Sequence, residues 1–183
     1  MLGIKTQQQN TDSPFPPFGV REAVGWLENE VAKMVYFSYD TPIGSLFIAS
    51  DGSAITAIKF KYTAGAECVK TRDALTDMAA KQLEEYFAGK RTKFDVPLRA
   101  CGTDFQRSVW EALLTIPYGE TRSYKQVAEL VGNPKACRAV GMANNRNPIS
   151  IIIPCHRVIG ANGSLVGYGG GLEIKQKLLE LES

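Results

Sequence analysis

Ile151-Ile152-Ile153-Pro154-Cys155-His156-Arg157-Val158 decides how the rest of this 183-residue chain is read. Three consecutive β-branched residues call for an extended, buried strand. Pro154 has no N–H to donate and ends the ladder. The sequence therefore predicts a core strand over 151–153 that gives way to a turn carrying a thiol and the chain's only histidine. Alone, Cys155 reads as inert packing, because most buried cysteines are. The adjacent imidazole and the break at Pro154 shift that reading toward a nucleophile, and the surrounding residues have to decide it.

Composition narrows the classes. A chain 44% hydrophobic and 22% charged is that of a globular protein, long enough for one domain or two small ones sharing a core. Net charge is only +2, so a nucleic-acid surface would have to be local. No apolar run matches a membrane span, and the N-terminus lacks the order of a secretory signal. Cys68, Cys101, Cys137 and Cys155 form no C-x-x-C, and with one histidine they make no convincing zinc site. No metal and no cofactor is expected. A reducing, cytoplasmic compartment suits four cysteines in a chain of this size.

Residues 1 to about 20 are polar and proline-bearing and read as a flexible tail, and Val20, Ala23, Val24, Leu27 and Val31 predict a short amphipathic helix over 20–33. Val35–Tyr39, Ser45–Ser50 and Ala54–Phe60 are expected strands, the last two joined at Asp51-Gly52. Leu75, Met78, Ala79, Leu83, Tyr86 and Phe87 follow helical spacing until Gly89. Residues 34–98 thus form a small α+β domain with an antiparallel sheet. Residues 99–183 form a mostly helical domain, and the fold class is α+β.

Within the second half, Thr103 with Gln106 and Ser123 with Gln126 have capping-box spacing. Gly132-Asn133-Pro134 supplies a turn, an N-cap and a first-turn proline for a helix over 134–144. The two short helices match either an ordinary helical hairpin or a helix-turn-helix. Lys135 and Arg138, interleaved with Ala136, Cys137 and Ala139, suit close approach to a phosphate backbone.

Assembled, these pieces resemble the O6-alkylguanine-DNA alkyltransferase family from about residue 34 onward. The resemblance rests on Gly102-Thr103-Asp104-Phe105-Gln106, Ile116-Pro117-Tyr118-Gly119-Glu120-Thr121, Asn133-Pro134-Lys135, Asn147-Pro148, Ile153-Pro154-Cys155-His156-Arg157-Val158 and Gly167-Tyr168-Gly169-Gly170-Gly171. It implies DNA repair by direct reversal. Cys155 would take the alkyl group from O6-alkylguanine, or from O4-alkylthymine, in duplex DNA as a stable thioether, so that each molecule acts once.

The same resemblance implies roles for individual residues. His156 would activate Cys155 through a bridging water, with Glu182 orienting the far nitrogen. Asn147 would fix the active-site loop, and Tyr124 would support nucleotide rotation and protonate the departing guanine. Arg138 would fill the space left by the flipped base, with Ser123, Asn133 and Cys137 facing the minor groove of double-stranded DNA. Val158, Tyr168, Gly169 and Gly170 would line the pocket. Cys137 stands where alanine is common in the family and Gly169 where serine is, and the zinc ligands of some relatives are missing. The protein would act as a monomer, with cooperative assembly on DNA open.

Three rivals remain at this level. A thiol–imidazole hydrolase usually draws its base from a distant segment, and no second histidine exists. A non-enzymatic lesion sensor of the alkyltransferase-like type would replace the cysteine. A transcriptional helix-turn-helix would have no use for Pro-Cys-His-Arg.

Overall fold

Alternation along Val35–Thr41 (β1), Gly44–Ser50 (β2) and Ile55–Lys59 (β3) builds an antiparallel meander, with Leu46, Ile48, Ile55 and Ile58 turned into the core. The computed structural model describes residues 34–61, 65 and 68–183, so the expected tail and the 20–33 helix lie outside the described residues. A short strand the sequence did not announce, Val69–Lys70 (β4), pairs parallel with β1 and completes the order β3-β2-β1-β4. The Asp51-Gly52 corner is a longer loop than a two-residue hairpin. The Asp51 carboxylate accepts from the Ser53 and Ala54 N–H groups, and the register slips at Ala49/Ser50.

Helix α1, Ala74–Phe87, is capped by Asp73 and packs Ala79, Leu83 and Tyr86 into the core; Met78 is exposed. It ends as expected at Gly89, where Gly89 N–H donates to Tyr86 and Lys90 N–H to Glu85, the paired bonds that close a helix through a left-handed residue.

Both expected capping boxes form. Thr103 opens α2, Asp104–Leu114, and Ser123 opens α3, Tyr124–Leu130, each with its glutamine reaching back to the cap. The next helix corrects the expectation. Asn133 is not its cap: the Asn133 N–H donates to Ala128, closing α3 around Gly132 at φ 74°. The Asn133 carbonyl then accepts from Ala136 in a turn holding Pro134, and α4 runs Cys137–Asn145 with Ala136 as a cap that makes no side-chain bond. The two helices and this turn form the helix-turn-helix.

The isoleucine run is the larger correction. Residues 151–153 are buried, but they are no strand. Ile152 N–H donates to Ser150 across Ile151, whose φ of 74° makes this the strained form of the γ-turn. Cys155 N–H donates to Ile153 across Pro154 (φ −81°, ψ 63°), the relaxed form. A left-handed β-branched residue costs about 1–3 kcal/mol. Burying the Ile151 side chain returns a similar amount. The segment just before it is fastened to the sheet, because Ile58 N–H donates to Pro148 and Ser150 N–H to Ile58. One 3-10 turn, Cys155–Arg157, then leads into β6, Val158–Ile159, which pairs parallel with β5, Arg122–Ser123. The final helix, α5, spans Leu172–Leu181. Sheet, α1 and the later helices share one hydrophobic core. Among the described residues no helix is long and apolar enough to cross a membrane.

Thr103→Ala removes one oxygen that caps α2 and is expected to lower the unfolding free energy by about 1 kcal/mol. The urea midpoint measures it, and an unchanged midpoint would deny the cap its role.

Candidate active site

The 3-10 turn sends consecutive side chains in different directions, so Cys155 and His156 leave the backbone apart. Cys155 is 4% exposed and His156 is fully buried. His156 Nε2 lies 2.9 Å from Glu182 Oε1, at the residue that caps the C-terminus of α5. Glu182 is the meeting point of the site. Arg157 donates Nε to Oε2 at 2.7 Å and Nη2 to Oε1 at 2.9 Å, and Tyr86 of α1 donates its hydroxyl to Oε1 at 2.6 Å. Arg157 also donates to the Ile116 carbonyl and stacks over the Tyr118 ring, its carbon 5.9 Å from the centroid.

This arrangement fixes the imidazole tautomer. A carboxylate accepts only, so Nε2 carries the proton and Nδ1 holds a lone pair. His156 Nδ1 is buried and makes no hydrogen bond within the described residues. Burial pushes the His156 pKa down, against the pull of Glu182, so the ring is neutral near pH 7 and able to accept a proton at Nδ1. For Glu182, burial alone would raise the pKa. The donors His156, Arg157 and Tyr86 outweigh it and hold the carboxyl down to about 2.

Burial pushes the Cys155 thiol up to about 11, although a hydrogen bond with Asn147 and the charge of Lys175 both favour the thiolate. Lys175 is a residue the sequence reading missed. It is fully buried, donating Nζ to the Val158 carbonyl at 2.6 Å and the Val166 carbonyl at 2.8 Å. The signal was present: Lys175 sits three residues before Leu178 and seven before Glu182, on the buried stripe of α5. Arg157, Tyr86 and Asn144 were missed as well; Asn144 donates Nδ2 to the Cys155 carbonyl.

The expected residues fall into two groups. Asn147 brackets the γ-turn, accepting from Ile149 N–H and donating to the Ile153 carbonyl at 2.8 Å. Tyr124, first residue of α3, donates to the Val166 carbonyl that Lys175 also uses, and its phenol pKa is raised by burial and by Cys155. Tyr168 has a buried hydroxyl, and its pKa is raised by burial and then by Cys155. Gly169 and Cys155 line one cavity of about 160 Å³ with Asn147, Ser150 and Phe60. The second group lies along the helix-turn-helix. Arg138 is exposed on the first turn of α4 and makes no hydrogen bond or ion pair with the described residues. Asn133 is exposed in the turn, Cys137 is half-buried with its thiol against the Pro134 carbonyl, and Ser123 serves as the α3 cap. Along α4, Arg138 stands six residues, about 9 Å of helix rise, from Asn144 at the nucleophile. Among the described residues no group of three His, Cys, Asp or Glu side chains could hold a metal ion.

Comparison with known proteins shows the family. Residues 34–100 match the profile of the 6-O-methylguanine DNA methyltransferase ribonuclease-like domain, and residues 104–183 match that family's DNA-binding domain. A methylated-DNA–protein-cysteine methyltransferase of Mycobacterium leprae is 55% identical over 148 residues, covering 79% of this chain and 90% of that one. Its counterpart in Methanosarcina acetivorans is 51% identical over 155 residues, covering 81% and 98%. The crystal structure of Mycobacterium tuberculosis OGT in complex with DNA superposes with a TM-score of 0.77 at 54% identity, covering 81% of this chain and 92% of that one.

The Glu182 carboxyl ionises more readily in the folded chain than its ordinary value of 4.5. Between that value and about 2 the unfolded state binds more protons, so stability falls as pH falls through this window and is fully present above it. Glu182→Gln leaves Arg157 buried without its counter-charge and is expected to cost about 3–5 kcal/mol. Denaturation between pH 2 and 6 should show a steeper acid loss for the parent than for the variant.

Proposed function

Because the chain belongs to the 6-O-methylguanine DNA methyltransferase family, we propose that it repairs O6-alkylguanine in duplex DNA by moving the alkyl group to Cys155. In one displacement the Cys155 sulfur bonds to the alkyl carbon while the bond from that carbon to guanine O6 breaks. The thiol proton ends on the restored guanine, and the thioether left behind resists hydrolysis. The protein is consumed as it acts, which makes it a single-turnover S-methyltransferase.

The observation that carries this reading is the neutral, buried His156 whose Nε2 is committed to Glu182 and whose Nδ1 is uncommitted within the described residues. With a pKa near 11, the thiol is ionised in roughly one molecule in ten thousand at pH 7. The proton must therefore leave as the lesion arrives. A water bridging Cys155 and His156 Nδ1 would carry it, since the 3-10 turn keeps the two side chains apart. Lys175 favours the developing thiolate. Tyr124, a phenol kept protonated by burial beside Cys155, is suited to return a proton to the leaving guanine.

The target carbon is out of reach in stacked duplex, so the base has to leave the helix. Arg138 on α4 is suited to occupy the space it leaves, with Ser123, Asn133 and Cys137 contacting the DNA from the same helix-turn-helix. We propose approach from the minor groove, which carries little base information and suits repair at arbitrary sequence. Val158, Tyr168, Gly169 and Gly170 would line the guanine and alkyl subsites. On this reading residues 34–98 are a supporting domain and 99–183 the domain that binds DNA and accepts the alkyl group. The protein works as a monomer in the reducing cytoplasm, where the thiol stays available.

Incubation with duplex containing O6-methylguanine is expected to place one methyl group on Cys155, at no more than one per chain, read by peptide mass spectrometry. Turnover beyond that ceiling would indicate a hydrolase, and binding without an adduct a sensor. Cys155→Ser should bind the duplex and accept nothing. Arg138→Ala should slow transfer from duplex DNA by at least tenfold while leaving reaction with the free base O6-benzylguanine unchanged; an equal loss with both would place the defect in the chemistry instead.

A further inference from the structure

The wall of the Cys155 cavity includes a residue from the N-terminal sheet. Phe60 follows directly on β3 and lines the same cavity of about 160 Å³ as Cys155, Asn147 and Gly169. Its ring is wedged in place. A Cβ added to Gly170 would stand 2.7 Å from Phe60 Cδ2 and Cε2, so the glycine lets the ring lie directly on the backbone. Phe60 also meets Tyr168 edge to face, with ring centroids 5.9 Å apart at 63°. The strand that delivers it is bonded to the nucleophile's own loop two residues earlier, through Ile58 to Pro148 and Ser150. Ring and thiol are therefore parts of one braced unit.

The cavity wall is open at Gly169. A Cβ at Gly169 would meet nothing within 4 Å, and its backbone is not in the left-handed region. The missing side chain at Gly169 leaves room, while Phe60 takes room away.

We infer that Phe60, supplied by the N-terminal sheet, sets the upper size of alkyl group that Cys155 accepts. The inference rests on the alkyl-transfer reading above and adds a specificity residue to it. A methyl group needs little of the cavity. A benzyl group exceeds a methyl by a phenyl ring, the same group that Phe60→Ala deletes from the wall. Apolar pocket differences of this kind discriminate substrates by tens- to hundreds-fold.

The test measures single-turnover transfer to Cys155 from duplexes carrying O6-methylguanine or O6-benzylguanine, for the parent, Phe60→Ala and Phe60→Leu. The expected result is a benzyl-to-methyl rate ratio raised at least tenfold in Phe60→Ala, with an intermediate rise in Phe60→Leu. An unchanged ratio, including one in which both rates drop together, overturns the assignment and leaves Phe60 a packing residue. Should the alanine variant fail to fold by circular dichroism, the leucine variant decides by the same ratio. Gly169→Ser provides the opposite change, adding a side chain to the same cavity, and is expected to lower the ratio. Failure of the parent to accept methyl at all would sink the alkyl-transfer reading itself, an outcome separate from any change in ratio.

Discussion

A carboxylate that is 4% exposed accepts hydrogen bonds from a guanidinium, an imidazole and a phenol, and the site is organised around it. Burying an ion pair is costly, and the mutual attraction offsets desolvation only where the remaining hydrogen bonds are also made. Here they are. Arg157 forks onto Glu182 and spends another N–H on Ile116, while Tyr86 supplies a hydroxyl from α1. Because Tyr86 and Glu182 are 96 positions apart, this one group ties α1 to the end of α5. It also decides the proton map, since an acceptor at Nε2 leaves the basic lone pair of His156 at Nδ1. Stability and reactivity therefore rest on the same two oxygens.

The thiol beside this network is kept quiet. A pKa near 11 makes Cys155 a poor nucleophile toward whatever meets it in solution, and that suits a residue which can be used once. Lys175 and Asn147 oppose the shift without cancelling it. The balance favours a protein that stores its reactivity until a substrate displaces the solvent and aligns the carbon. Lys175 itself tolerates burial because two carbonyls, from Val158 and Val166, accept its protons.

Local chemistry was legible in the sequence wherever it depended on neighbours in the chain. The capping boxes at Thr103 and Ser123, the stop at Gly89 and the three-strand meander all form, since each is decided within a few residues. The reading failed where a distant partner outweighed local preference. Ile151-Ile152-Ile153 has the composition of a strand, yet Asn147 and the edge of β3 hold it in a γ-turn that a β-branched residue would not adopt unaided. Asn133 had the composition of a helix cap, but the preceding helix needed its N–H first. Burial of Lys175 and the convergence of Tyr86 and Arg157 on Glu182 are products of tertiary packing. Glu182 alone gave a hint, as a negative charge at the unfavourable end of a helix.

The separation of Tyr86 from Glu182 also has a meaning in time. A growing polypeptide leaves the ribosome from its N-terminal side, and domains tend to fold in that order. The sheet, α1 and even the Cys155 turn emerge while Arg157 still lacks its counter-ion. Until α5 has been synthesised, the guanidinium has no reason to enter the interior, and the imidazole has nothing to orient it. Competence of the nucleophile is thereby postponed until residue 182 has been made, so a nascent chain stalled before that point carries the cysteine without the means to use it.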